Sequence, residues 1–180
     1  MGACNKNGVY YAWNQTNLAA GPVWCTQVAG SESSGAGFCS TSSVWDFANK
    51  RLYLAVQTKN LGAGVNGAVY RLDPDTGAIL RTQKLVCGVT GTPVVNALTG
   101  VLAVGRANCP TGTVVTVRFF DPTAGTPLGS AAAHGDVFAQ PVFAEGHLFV
   151  ADKAGSSRHK PPDPLSQVSV LFEKWASFAL

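Results

Sequence analysis

Charge is scarce in this chain, at 13% of residues, and no stretch of 18 or more consecutive apolar residues occurs in it. With hydrophobic residues at 46%, the scarcity of charge excludes a disordered chain, which needs low hydrophobicity together with high net charge. The missing apolar stretch means that no transmembrane helix is expected. The opening Met1-Gly-Ala-Cys-Asn-Lys-Asn-Gly8 lacks the apolar run of a signal peptide. Lys6 stands where a myristoylation signal wants Ser or Thr. None of the five cysteines (Cys4, Cys25, Cys39, Cys87, Cys109) belongs to a C-x-x-C pair, which argues against a zinc site or a heme attachment motif. Four of them could pair in a secreted protein and leave one over, or all could serve as small hydrophobes on strands. The net charge is +3. Residues 1–152 hold 9 Lys/Arg against 8 Asp/Glu, and residues 153–180 hold 4 against 2. That weak excess forms no basic stripe, so nucleic acid is not an expected partner.

What the chain does have is repetition. Three segments, 43–56, 93–105 and 141–152, share one plan of apolar strand, short polar turn and second apolar strand. Aligned on the second strand, Leu52, Leu102 and Leu148 recur at intervals of roughly 40–50 residues, the period of a β-propeller with one four-stranded blade per repeat. Twenty Gly and 10 Pro punctuate the turns, and 180 residues are enough for a sizeable core. The expected fold is all-β, a partial propeller of antiparallel blades over residues 1–152. The first unit starts in mid-blade with strands near 9–13 and 23–28. The next has strands near 38–47, 51–57, 67–72 and 79–86, and the third near 93–97, 101–106, 113–120 and 127–132. Asp136 opens a fourth unit, of which two strands are expected before Asp152.

The turn Asp73-Pro-Asp-Thr-Gly77 recurs as Asp121-Pro-Thr-Ala-Gly125. Aspartate accepts backbone hydrogen bonds, Pro presets its φ, and the closing Gly is expected at positive φ. Beyond Lys153 the character changes. Residues 153–164 read as a linker, and 165–180 carry apolar residues at 165, 168, 171, 172, 175 and 179, a helical period that predicts an amphipathic helix.

The segment Gly67-Ala-Val-Tyr-Arg-Leu-Asp-Pro-Asp-Thr-Gly-Ala-Ile-Leu80 is similar to the repeat core of the quinoprotein-like propeller superfamily. Val117-Arg-Phe-Phe-Asp-Pro-Thr-Ala-Gly125 is a weaker copy, and Tyr10-Tyr-Ala-Trp-Asn14 with Val23-Trp24 a drifted one. The order of segments over about residues 8–152 most resembles polyvinyl-alcohol-dehydrogenase-like proteins. The resemblance implies a tryptophan after each glycine turn that docks one blade on the next. Trp24 fits that role, whereas Arg81 and Leu128 stand near it in the following units. It also implies a complete ring of roughly seven or eight blades, with pyrroloquinoline quinone and calcium held in a central funnel. Only two full and two partial blades are read here. The resemblance therefore implies a quinone oxidoreductase ancestry and no assigned cofactor residues.

Several other residues invite a functional reading. Asp73 and Asp75 form an Asp-x-Asp that could suggest calcium, but the turn accounts for them, as Asp121 recurs there without a second acid. Asp46, Asp136 and Asp152 fall at turns or strand ends. His134 and His147 have no Cys/His partner at ligand spacing. Ser33, Ser34, Ser42 and Ser43 lack a Gly-x-Ser-x-Gly elbow. Asn14-Gln-Thr16 is a lone glycosylation sequon. Trp13, Trp24 and Trp45 are read as packing between blades. No catalytic or metal-binding residue is assigned. The expected function is a binding or assembly module whose open blade faces meet missing blades, a protein partner or a second copy. The alternative is a fragment of a quinone-dependent alcohol dehydrogenase.

Overall fold

In the computed structural model, which describes residues 1–121, 123, 125–144 and 147–153 and the backbone of 169–170, four antiparallel sheets follow one another along the chain. All but the second are meanders of sequential strands. The first holds β1 (Gly2–Cys4), β2 (Val9–Trp13) and β3 (Pro22–Gln27). The second holds β4 (Gly37–Phe38), β5 (Val44–Asp46), β6 (Arg51–Thr58), β7 (Gly67–Leu72) and β8 (Ile79–Leu85). There β4 and β5 both pair with β6. The third is β9 (Val94–Val95), β10 (Leu102–Gly105), β11 (Thr116–Phe120) and β12 (Pro127–Ala132). The fourth is β13 (Val142–Ala144), β14 (His147–Val150) and β15 (Ser169–Val170). The expected pairings of 51–57 with 67–72 and of 101–106 with 113–120 are present, Leu54 opposite Tyr70 and Val104 opposite Arg118. These sheets are the blades of a partial β-propeller.

The middle strands explain why the sheets stack. Leu52-Tyr-Leu-Ala-Val56 is a continuous apolar run, and successive strand residues point to opposite faces. Leu52, Leu54 and Val56 join Tyr10, Val28, Tyr70 and Leu72 in the core between the first two blades. Tyr53 and Ala55 point the other way and join Val69, Leu102, Val104 and Phe120 between the second and third. Ala103, Val117 and Phe119 meet Val137, Leu148 and Val150 between the third and fourth. Each fully buried Leu or Val of this kind stabilises the chain by roughly 1.5–3 kcal/mol. The outermost strands β8 and β12 are mostly exposed. The first strands β5, β9 and β13 approach one another in succession, which fans the blades around a common inner edge.

Three differences from the sequence reading concern strand ends. Residues 2–4 add a strand, β1, to the first blade through Cys4 opposite Tyr10; three residues are too few for a periodicity to register. The stretch 38–47 is two short strands, because the chain between Cys39 and Ser43 leaves the ladder. Ser169 and Val170 are extended and pair with Val150 and Phe149, giving the fourth blade a third strand where a helix was expected. The exposed edge of β14 offers unpaired backbone groups that a β-branched strand can satisfy, and at these two residues that outweighs the helical period. The remainder of the linker and of 165–180, apart from Lys153, lies outside the described residues. Two disulfides pair four cysteines. Cys4–Cys39 ties the first blade to the second, and Cys87–Cys109 closes the loops beside the second and third, leaving Cys25 free and exposed.

The Asp-led turns hold as expected. Gly77 and Gly125 have φ of 74° and 61°, and their N–H groups donate to the Asp73 and Asp121 carbonyls at 2.8 and 2.6 Å. The β9–β10 connection Asn96-Ala-Leu-Thr-Gly100 is built the same way, with Leu98 and Thr99 N–H donating to Asn96 Oδ1. At the β5–β6 turn, Lys50 takes the glycine's place at φ 50°. Lys50→Gly should therefore stabilise the protein by about 0.5–1 kcal/mol, since an L-residue in the left-handed region costs more than glycine's extra unfolded-state entropy. A Cβ on Gly77 would lie 2.4 Å from Trp24 Cε3, whereas one on Gly100 meets nothing within 4 Å. Gly100→Ala should cost about 1 kcal/mol and Gly77→Ala at least about twice that, both read by urea unfolding.

Candidate functional site

The six aspartates among the described residues are dispersed over turns and strand ends. Asp73 Oδ1 accepts the N–H groups of Asp75 and Thr76, each at 2.9 Å, and these bonds, Thr76's first, hold its carboxyl below the usual range. Asp121 Oδ1 accepts from Thr123 N–H at 2.7 Å. Asp46 is buried and caps Asn49 through both oxygens. Asp152 does come near one sequence candidate. Asp152 Oδ2 accepts His134 N–H at 2.8 Å and lies 3.6 Å from its Nδ1, while Asp136 Oδ1 accepts Asn108 N–H. His147 pairs with Ala144 on β14. Among the described residues no three His, Cys, Asp or Glu side chains converge. The first strands of the second, third and fourth blades carry Val44, Trp45, Val94, Val95, Val142 and Phe143 towards the inner edge of the fan.

The serines serve the backbone and the seams. Ser34 N–H donates to Ser31 Oγ in a short turn, and Ser33 bonds Ser31. Ser42 N–H donates to Thr92 Oγ1, joining the second and third blades, and Ser43 bonds Tyr10 Oη at 2.6 Å, joining the first and second. Asn14 folds onto Thr16 in an exposed loop. Trp45 packs against the core between the first two blades and meets Phe47 edge-on. Trp13 stacks on Tyr11 at 5.7 Å.

The seams between blades are where the chain's chemistry concentrates. Trp24, on the outer strand of the first blade, lies over Gly77 in the second, and its Nε1 donates to the Pro74 carbonyl at 2.9 Å. Thr26 Oγ1 donates to the Gly77 carbonyl at 2.7 Å. Arg81 occupies the equivalent place one blade on, lying over Gly125. The sequence marked Arg81 as a departure from tryptophan but gave no sign of what fills the space. A shallow cleft opens there, lined by Tyr53, Arg71, Arg81, Phe120 and Asp121 among others. Tyr53, Arg71 and Arg81 are directly opposite one another across β6, β7 and β8. Arg51 Nη1 donates to Thr123 Oγ1 at 2.5 Å, and Arg71 Nη1 reaches the Thr123 carbonyl at 3.4 Å. The buried Nε of Arg71 has no hydrogen-bond partner, and neither has that of Arg118. The spacing does not reveal this row: residue 71 lies two positions before the Asp73–Gly77 turn and residue 81 four after it, and a register shift between Arg71 and Leu72 brings the two arginines opposite each other.

Two outcomes test these seams. Trp24 is half-buried, so Trp24→Ala should cost about 2 kcal/mol, less than a fully buried indole, by urea unfolding. Burial pushes the Tyr70 hydroxyl up to about 12, and burial also raises Tyr10 and Tyr53. A raised folded-state value leaves stability intact below pH 10 and removes it as pH climbs towards 12. Tyr70→Phe should unfold less steeply over that window than the parent chain, and equal slopes would contradict the assignment.

No family model matches the sequence, and no curated protein matches it. Among solved structures the chain is similar to a europium-containing methanol dehydrogenase, at 13% identity and a TM-score of 0.48, over 72% of this chain and 30% of that one. It is also similar to BamB from Moraxella catarrhalis, at 12% identity and a TM-score of 0.42, over 86% of this chain and 52% of that one. The chain thus spans about a third of the first protein's length and about half of the second's.

Proposed function

We propose that this partial β-propeller is a binding or assembly module with no catalytic site of its own, acting through the outward faces of its first and fourth blades. One observation carries the reading. Among the described residues, the inner blades bury both faces of their middle strands, and the end blades bury one. On the first blade, Tyr10 faces the second, which turns the stacked Tyr11 and Trp13 and the exposed Val23 outwards. On the fourth, Phe143 and Leu148 face the third blade, and their neighbours Val142 and Phe149 form an outward pair. A blade stabilises its faces only against a neighbour. The surface these faces present suits another blade, supplied by more of the same protein, by a partner or by a second copy.

A second reading, a fragment of a quinone-dependent alcohol dehydrogenase, is favoured by the docking of Trp24 on Gly77, the contact that the sequence resemblance implies. In that reading pyrroloquinoline quinone would supply the redox chemistry, and residues of blades beyond these four would hold it. Sedimentation of the purified chain tests the first reading. Association at micromolar concentration, weakened about tenfold or more by Tyr11→Glu or Val142→Glu, is expected for an apolar interface carrying a buried charge. A monomer that is indifferent to both substitutions and unfolds cooperatively would contradict it. Dye reduction with calcium, quinone and alcohols, abolished by chelator, would favour the second.

A further inference from the structure

We propose that the cleft between the second and third blades is a carboxylate-binding site whose anion is gripped by Arg71 and Arg81. Three observations lead there. Arg71 and Arg81 stand directly opposite on neighbouring strands, an arrangement that destabilises a sheet when both carry the same charge and nothing lies between them. Arg71 Nε is buried without a hydrogen-bond partner, and a buried donor of this kind costs free energy until an acceptor reaches it. A cleft opens beside both side chains where the seam of the first two blades is filled by Trp24. Arg51, tied to Thr123, adds a third guanidinium at the same turn. On the facing sheet, Arg118 stands two residues before Phe120, on the same side by strand alternation, and its Nε is also buried and unpartnered.

The class of anion follows from charge and shape. Arg71, Arg81 and Arg51 are opposed by Asp121 in the lining and by Asp46, which is directly opposite Arg51. The small positive balance suits a monoanion, while a dianionic phosphate would meet the Asp121 carboxylate. A planar carboxylate matches the guanidinium fork in bidentate geometry. Beside Gln83, the lining holds Tyr53, Val69, Leu102 and Phe120, whose apolar atoms suit the short stem that carries such a group. A free organic acid and a glutamate side chain of a protein both present this chemistry.

The test is a titration followed by the arginine Nε–H signals in ¹⁵N NMR, with sodium acetate, an acetylated Ala-Glu-Ala amide, inorganic phosphate and sodium chloride as probes. A saturable shift of the Arg71 signal with acetate or the peptide, and a weaker one with phosphate, is expected; the tighter of the first two identifies the source. Arg81→Met, a change at an exposed side chain, should weaken binding about tenfold, the loss of one charge-assisted hydrogen bond. It should also remove the rise in melting temperature that acetate gives the parent chain. Arg71→Lys, which keeps the charge and loses the fork, should weaken binding as well. No saturable shift at Arg71, an equal response to chloride, tighter binding of phosphate, or full affinity in Arg81→Met would each overturn the proposal.

Discussion

The structure depends on one constraint: the middle strands of the second and third blades are apolar on both faces and are covered on both. In β6, Leu52, Leu54 and Val56 are withdrawn from water by the first blade, and Tyr53 and Ala55 by the third. Cut off from either neighbour, such a strand would expose apolar surface at roughly 25 cal/mol per Å². Stacking is thus obligatory, and the pairing within a blade only prepares the faces that stack. It also explains why the outer strands can be polar and why the turns recur so strictly. Gly77 and Gly125 sit in the seams, against Trp24 and Arg81, so each turn is both a chain reversal and part of the next interface.

The seams are alike in plan and different in chemistry. Between the first two blades, an indole and a threonine hydroxyl bond the turn carbonyls, and a disulfide joins Cys4 to Cys39. Between the second and third, a guanidinium replaces the indole, and the seam keeps a cleft lined by Arg71, whose Nε is buried and unpartnered. A flat indole seals a seam without needing a partner for more than one N–H. An arginine brings five donors, and those that the protein leaves unmatched are available to a ligand.

Much of the fold was legible in the residues because the signals were local. The Asp73–Gly77 turn and its copy at Asp121–Gly125 placed two hairpins, and the apolar runs around Leu52 and Leu102 placed the buried strands between them. What escaped lacked a local signal. β1 is three residues long, and its pairing with Tyr10–Ala12 depends on chain 6 to 10 residues away. The strand at Ser169–Val170 is imposed by the free edge of β14, which no window over 165–180 could contain. Among the functional candidates, the histidines and serines carried little information, and sequence explained the aspartates as turn residues. Arg71 escaped because its meaning depends on standing opposite Arg81 and beside an unfilled seam, a fact of three strands from two blades.

Hydrogen–deuterium exchange along the isolated chain tests most directly the claim that two-sided stacking holds the molecule together and that, among the described residues, the end blades are stacked on one face. At low concentration, amides of β6, β7, β10 and β11 should exchange only through global unfolding. Those of β2, β3, β13 and β14 should exchange through cheaper local opening, and should gain protection as the concentration is raised. Equal protection across all four blades, unchanged by concentration, would contradict it.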